Sequence, residues 1–273
     1  MTRNKLSFAA TAAAIALILT SVNLLMPVTA SAQSQLYKSC QEDKLKAPIT
    51  LQAASAATEA ATTATMAATD ASAANTAPSN IVFLSIVGSE SEACYLASET
   101  FLKGNMMNLP SGFNGAVGIT KTISGDIALD RANVANSQIG DITINISEFK
   151  SDNARRDSFI RQNFLQSNKF PFATLTDATA IGLPAGAYQD GATLQFQIKG
   201  SLTVHNTKRE TTFDATGSFK EGVLVIRATT DLKMSEFGIE VPDIGGLLKV
   251  DDALRLVLNI VARESEGTAT PAK

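Results

Sequence analysis

Beyond Pro78, apolar and polar residues alternate with a period of two nearly to the end of the chain. Val117, Ile119, Ile123, Gly125, Ile127 and Leu129 share one parity, with Thr120, Thr122, Ser124 and Asp126 on the other. That pattern predicts a half-buried strand. The same alternation sets Ile142, Ile144 and Ile146 against Asp141, Thr143 and Asn145. It is longest where Leu194, Phe196, Ile198, Leu202 and Val204 oppose Thr193, Gln195, Gln197, Lys199 and Thr203, with Gly200 on the apolar parity as a place to bend. Thr211, Phe213, Ala215 and Phe219 form a further run, Leu224, Ile226, Ala228, Thr230 and Leu232 another, and Leu254, Leu256, Leu258 and Ile260 the last. Turn residues at 205–208 and at Glu221-Gly222 predict hairpins and antiparallel pairing. Seven or eight one-faced strands suit a closed barrel or a sandwich. The run 116–129, read as one strand, would extend on the order of 40 Å at about 3.3 Å per residue, which favours a tall barrel.

Only the segment 151–164 leaves this period. An Asp or Asn cap precedes Phe159, Ile160 and Phe164 at helical spacing, and Pro171 limits the extent, so a short helix is expected over one mouth of the barrel.

The front of the chain reads differently. Arg3 and Lys5 precede an apolar core from Phe8 to Leu19, and Ala30-Ser31-Ala32 supplies a small-residue exit, which predicts a signal peptide over 1–32 cleaved after Ala32. An uncleaved anchor is the alternative, since no charge stands between Lys5 and Lys38. Residues 33–79 form an N-terminal extension and linker. In its 53–77 stretch Ala and Thr dominate and Met66 is the one large apolar side chain, too little to offset ordering entropy, so this part is expected to be disordered. The barrel domain is placed at 80–263 and a disordered tail at 264–273.

Charge and composition narrow the function. The 273-residue chain carries a formal charge of −3, which becomes −5 once Arg3 and Lys5 leave with the signal peptide. That balance gives no electrostatic footprint for nucleic acid, which is not expected as a partner. One His and two Cys exclude a multi-histidine or four-cysteine metal site, and no metal or cofactor is expected. His205, in a predicted turn, has no oriented nucleophile beside it, and Asp251 and Asp252 are expected to solvate a turn; no enzyme activity is expected. Export would place Cys40 and Cys94 where disulfides persist. Ala93, Tyr95 and Ala97 share the inward parity, so Cys94 faces outward, within reach of the extension. A Cys40–Cys94 disulfide is expected; free thiols or an intermolecular pair are the alternatives.

Several motifs then carry a resemblance: Arg156-Asp157, Ile160-Arg161, Phe164, Phe170-Pro171, Gly200-Ser201-Leu202-Thr203-Val204 and Ser235-Glu236-Phe237-Gly238-Ile239. In this order and spacing, over residues 80–263, the chain resembles the YceI-like family. The resemblance implies an all-β fold, an extended antiparallel eight-stranded lipocalin-like barrel with one short helix, in exported bacterial proteins that are periplasmic or secreted. It also implies a long-chain isoprenoid-type lipid inside the barrel. The chain departs from the family's pattern in a helix-to-Pro171 segment one residue shorter, in Leu165 where a second Phe is common, and in Met234 where an Arg usually stands.

Parity selects the residues expected to line such a ligand. Ile144, Phe196, Ile198, Val204, Phe213, Leu256 and Leu258 lie on the apolar faces of separate strands, with Phe164 and Phe170 at the mouth. Periodicity leaves open a barrel filled by its own side chains, acting as a structural or interaction module of the cell envelope. Arg156 and Asp157 are read as a capping ion pair or a head-group contact.

Overall fold

Alternation of this kind buries one face of each strand only if the sheet curls around that face. The computed structural model describes residues 36–51, 80–102 and 112–265. The proposed signal peptide, its cleavage after Ala32, the Ala/Thr-rich stretch 53–77 and the tail beyond Ser265 lie outside the described residues.

The strands are β1 (Ile81–Ile86), β2 (Glu92–Phe101), β3 (Gly112–Thr120), β4 (Ile123–Ser124), β5 (Asp126–Asp130), β6 (Gln138–Ile139) and β7 (Ile142–Asn145), followed by helix α1 (Ala154–Asn163). After it come β8 (Phe172–Ile181), β9 (Thr193–Val204), β10 (Thr207–Lys220), β11 (Val223–Lys233), β12 (Asp243–Ile244) and β13 (Leu248–Glu264). All belong to one sheet, and every pairing in it is antiparallel. β1 and β2 both run along β13 and form one interrupted run; β3, β4 and β5 form a second, and β6 and β7 a third. With β8, β9, β10, β11 and β13 they make the eight staves of a barrel. It closes where Ile123 of β4 pairs with Ile144 of β7. β13 reaches one residue past the expected domain boundary, to Glu264.

Two hairpins show how local chemistry sets the register. His205 and Asn206 take φ of 50° and 59°, and Glu221 and Gly222 take 52° and 76°, so both two-residue loops use the left-handed turn whose twist matches the strands it joins. β9 pairs with β10 from Thr207↔Val204 to Ser218↔Thr193, and β10 with β11 down to Lys220↔Val223.

The run from 116 to 129 is not one strand, as the alternation suggests. It breaks at Lys121-Thr122 and again at Gly125. Across the first break the inward face changes. Val117 and Ile119 pack on the outside of the barrel, whereas Ile123, Ile127 and Leu129 are in the interior core. The 3-10 turn Gly88–Glu90 lies against this break so closely that a Cβ on Gly88 would stand 2.7 Å from the Lys121 carbonyl oxygen. An uninterrupted pairing cannot pass such a contact.

Outside the barrel, the segment 36–51 lies across β2, β3 and β13. Cys40 is joined to Cys94 by a disulfide, and both sit in an outer apolar cluster with Leu96, Val117 and Val257. Glu92 accepts hydrogen bonds from the Cys40 backbone N–H (3.1 Å) and Ser39 Oγ (3.3 Å); Asn259 donates to the Lys38 carbonyl (2.7 Å), and Arg227 pairs with Asp43. The outward orientation expected of Cys94 and its pairing with Cys40 are both present.

Helix α1 begins where sequence places it. The Asn153 side chain accepts hydrogen bonds from the backbone N–H groups of Arg155 and Arg156, satisfying two of the donors that a helix start leaves open. Asp251 and Asp252 lie within β13 rather than in a solvated turn, and Asp252 accepts hydrogen bonds from the backbone and hydroxyl of Ser235 (2.9 and 2.5 Å). His205 is not a freely solvated turn residue either. Its ring meets Phe170 edge-on at 4.7 Å, and its Nε2 is buried without a hydrogen-bond partner among the described residues.

Candidate functional site

The barrel interior divides into two ends of different character. At one end Tyr188, Phe196 and Phe219 converge with Leu194, Leu224 and Ile226 and leave about 50 Å³ free. The Tyr188 hydroxyl locks this end, accepting from the Phe219 N–H (2.8 Å) and lying within hydrogen-bond distance of the Ala192 carbonyl (2.5 Å). Toward the other end lies an apolar cavity of about 130 Å³. The interior is thus neither wholly filled nor wholly hollow.

Small residues make the hollow end. On its β2 and β3 wall the inward positions are Ala93, Tyr95, Ala97 and Ala116, where the adjoining β13 and β11 carry Leu254, Leu256, Leu258 and Leu232. Room for the Tyr95 ring depends on Gly118, where a Cβ would stand 2.1 Å from the ring. Ile160 of α1, Phe164 and Leu165 just past its end, and Met234 and Phe237 of the turn between β11 and β12 also line the cavity. The helix therefore lies at the mouth, as its position between β7 and β8 suggests.

Of the residues singled out by parity, Ile144, Phe164, Val204, Phe213, Leu256 and Leu258 line this cavity. The other three do not, and each for a packing reason. Ile198 is in the solid core at 2% exposure; Phe196 belongs to the filled end; and Phe170 turns to His205. Parity identifies the inward face but not the height at which a side chain meets its neighbours. Met234, where the family pattern carries Arg, adds an apolar thioether to the lining.

Among the described residues one charged side chain lines the cavity, and the alternation of apolar positions does not mark it. Glu99 is 3% exposed, on the parity of Ala93, Tyr95 and Ala97 one step further along β2. Extending that alternation would place it inside, but an inward carboxylate contradicts the apolar pattern. Its Oε2 accepts from Asn114 Nδ2 (2.8 Å) on β3 and from Arg156 Nη1 (3.3 Å) on α1. Arg156 also bonds Ser151 Oγ (3.0 Å) and pairs with Asp152. Asp157 accepts from the Ser151 backbone N–H (3.0 Å) and hydroxyl (2.5 Å). Arg156 thus ties the helix to the barrel wall through Glu99, while Asp157 fixes the loop leading into the helix. Neither the capping ion pair between these two residues nor a free head-group arginine describes the arrangement.

Tyr95 stands in the same wall. Burial drives its phenol well above the ordinary tyrosine range; Arg156 works against this, and the carboxylates of Asp157, Glu99 and Asp152 add to it. It remains a neutral hydroxyl. The site offers an apolar enclosure, one carboxylate held by a guanidinium, and one phenol; this arrangement can enclose an amphiphile.

The sequence pattern of the YceI-like domain matches residues 95–262. A UPF0312 protein of Vibrio parahaemolyticus is 24% identical over 155 residues, covering 53% of this chain and 75% of that protein. One of Shewanella baltica is 28% identical over 144 residues, covering 49% and 69%. Among solved structures, Burkholderia cenocepacia BcnA is similar with a TM-score of 0.49 and 16% identity, over 64% of this chain and 98% of BcnA. A polyisoprenoid binding domain from Saccharophagus degradans, implicated in plant cell wall breakdown, gives 0.48 and 9%, over 68% and 99%.

Proposed function

Since the chain belongs to the YceI-like domain family, we propose that it is an exported binding protein that holds the apolar chain of an isoprenoid-type lipid in the hollow end of its barrel. The observation that carries this reading is the cavity itself. A void of about 130 Å³ walled by Leu, Ile, Phe and Met has no polar partners for water along most of its surface, and such voids take apolar guests. Each lining side chain that a guest covers contributes roughly 25 cal/mol per Å² of apolar area removed from water.

A cavity of this size takes a short stretch of a chain, so a long lipid must displace the lining as it enters. The side chains at the mouth suit that step. Met234 is unbranched and adaptable, and Phe164 is half-buried at the end of a ten-residue helix. Export is supported by the charged head and apolar core of the first thirty-two residues and by the Cys40–Cys94 disulfide, a bond that persists in oxidising compartments.

Organic extraction of the purified protein followed by mass spectrometry tests the reading, and a prenyl lipid in stoichiometric amount is the expected result. Substitution of Ala97 by Phe gives the companion measurement, because Ala97 faces the cavity and the added ring fills it. Loss of the extracted lipid is expected with a melting temperature within about 3 °C of the unmutated protein. In a filled core the same change overpacks and costs roughly 1–3 kcal/mol. A marked fall in melting temperature, with no lipid in the unmutated protein, would instead make the barrel a filled structural module.

A further inference from the structure

A carboxylate in an otherwise apolar wall restricts what the polar end of a guest can be. We propose that Glu99 makes this cavity selective for lipids whose polar end is uncharged and donates a hydrogen bond, such as an alcohol, a phenol or a primary amide, and rejects lipids ending in phosphate or carboxylate. The inference rests on the container reading above and adds to it the chemistry of the head group.

Glu99 lines the cavity, and its two oxygens are used unequally. Oε2 receives both Asn114 and Arg156, while Oε1 has no hydrogen-bond partner among the described residues. A carboxylate oxygen only accepts, so the group that completes it must donate. Tyr95, four residues earlier on β2, adds a neutral phenol to the same cavity wall.

Charge around this point excludes an anion. Arg156 is the guanidinium that faces Glu99, and it is shared with Asp152; Asp157 is held by Ser151 close by, and Lys44 reaches only the far side of Asp152 at 3.9 Å. Glu99 and Asp152 therefore share the Arg156 guanidinium, and Arg161 of the same helix donates instead to the Phe149 carbonyl (3.0 Å). A phosphate brought to Oε1 would meet the buried Glu99 carboxylate where little water screens it, whereas the charge of Asp152 is exposed and screened. The Arg156 Nε is buried and has no hydrogen-bond partner among the described residues, yet Arg156 is not in the cavity lining, so Glu99 stands between the guanidinium and the guest.

The full chain is titrated by calorimetry with geranylgeraniol, its methyl ether and geranylgeranyl monophosphate, three probes with one tail. The alcohol is expected to bind about tenfold more tightly than the ether, which cannot donate, and about a hundredfold more tightly than the phosphate. Glu99→Gln keeps the shape of the side chain and removes its charge, and should bring the phosphate to within about tenfold of the alcohol. Equal affinity for alcohol and phosphate in the unmutated chain, or an unchanged ratio in the variant, would overturn the selectivity while leaving the container standing. If no probe binds, the container reading fails and the selectivity with it. The alcohol-to-ether ratio needs no substitution, so a variant that does not fold leaves the proposal open to refutation.

Discussion

Replacing Arg156 with alanine should destabilise the barrel by about 3–5 kcal/mol, the cost of leaving a buried carboxylate without its countercharge. Glu99 is 3% exposed, and its other partner, Asn114, supplies a single neutral donor. An exposed ion pair would contribute at most about 1 kcal/mol, so the size of the loss measures the burial of Glu99 rather than the strength of the bond. Urea denaturation of the single variant reads the loss directly. The double variant Glu99→Leu with Arg156→Met should recover most of it, because two apolar side chains of similar volume leave no charge to solvate. A single variant as stable as the unmutated protein would mean that water reaches Glu99 freely.

The disulfide should matter to a similar degree. In the chain-entropy account, closing a loop between cysteines 54 positions apart stabilises the folded state by about 4 kcal/mol. Converting Cys40 and Cys94 to serine is therefore expected to lower the melting temperature by on the order of 10 °C, and reduction of the unmutated protein should do the same. The segment 36–51 has other attachments, through Asp43 to Arg227 and through the Lys38 carbonyl to Asn259, so the barrel should keep its strand content by circular dichroism. Equal melting temperatures for oxidised and reduced protein would show that the unfolded chain is not constrained by the bond.

How far the fold can be read in advance depends on the element. The runs in β9, β10, β11 and β13 are long, and their parity holds from end to end: Phe196, Phe213, Ile226 and Leu258 all point inward, as the alternation requires. The caps and turns are equally local. Asn153, the pair His205-Asn206 and the pair Glu221-Gly222 each act within a few residues of themselves. Alternation fails where the chain is deflected by something remote, as at Lys121-Thr122. There the turn at Gly88 interrupts the strand and Val117 and Ile127 end on opposite faces.

The candidate site is legible in part for the same reason. Ile144, Val204, Phe213, Leu256 and Leu258 are assigned by parity because facing inward is a property of a strand and its immediate neighbours. Phe196 and Ile198 obey the same parity and still miss the cavity, because its position depends on the summed volume of side chains meeting at one height from eight staves. Tyr188 and Phe219, 31 residues apart, fill one end together, and neither announces this in the sequence.

By itself, then, the sequence determined the period-two faces, the hairpins, the helix cap and the outward cysteine, all of which follow from backbone geometry over a few residues. Tertiary structure alone decided which inward residues share a level and so where the barrel is hollow. It also decided that Glu99 can face an apolar interior. A lone carboxylate there would be expelled by its desolvation cost, and the guanidinium that holds it comes from Arg156, 57 residues further along the chain.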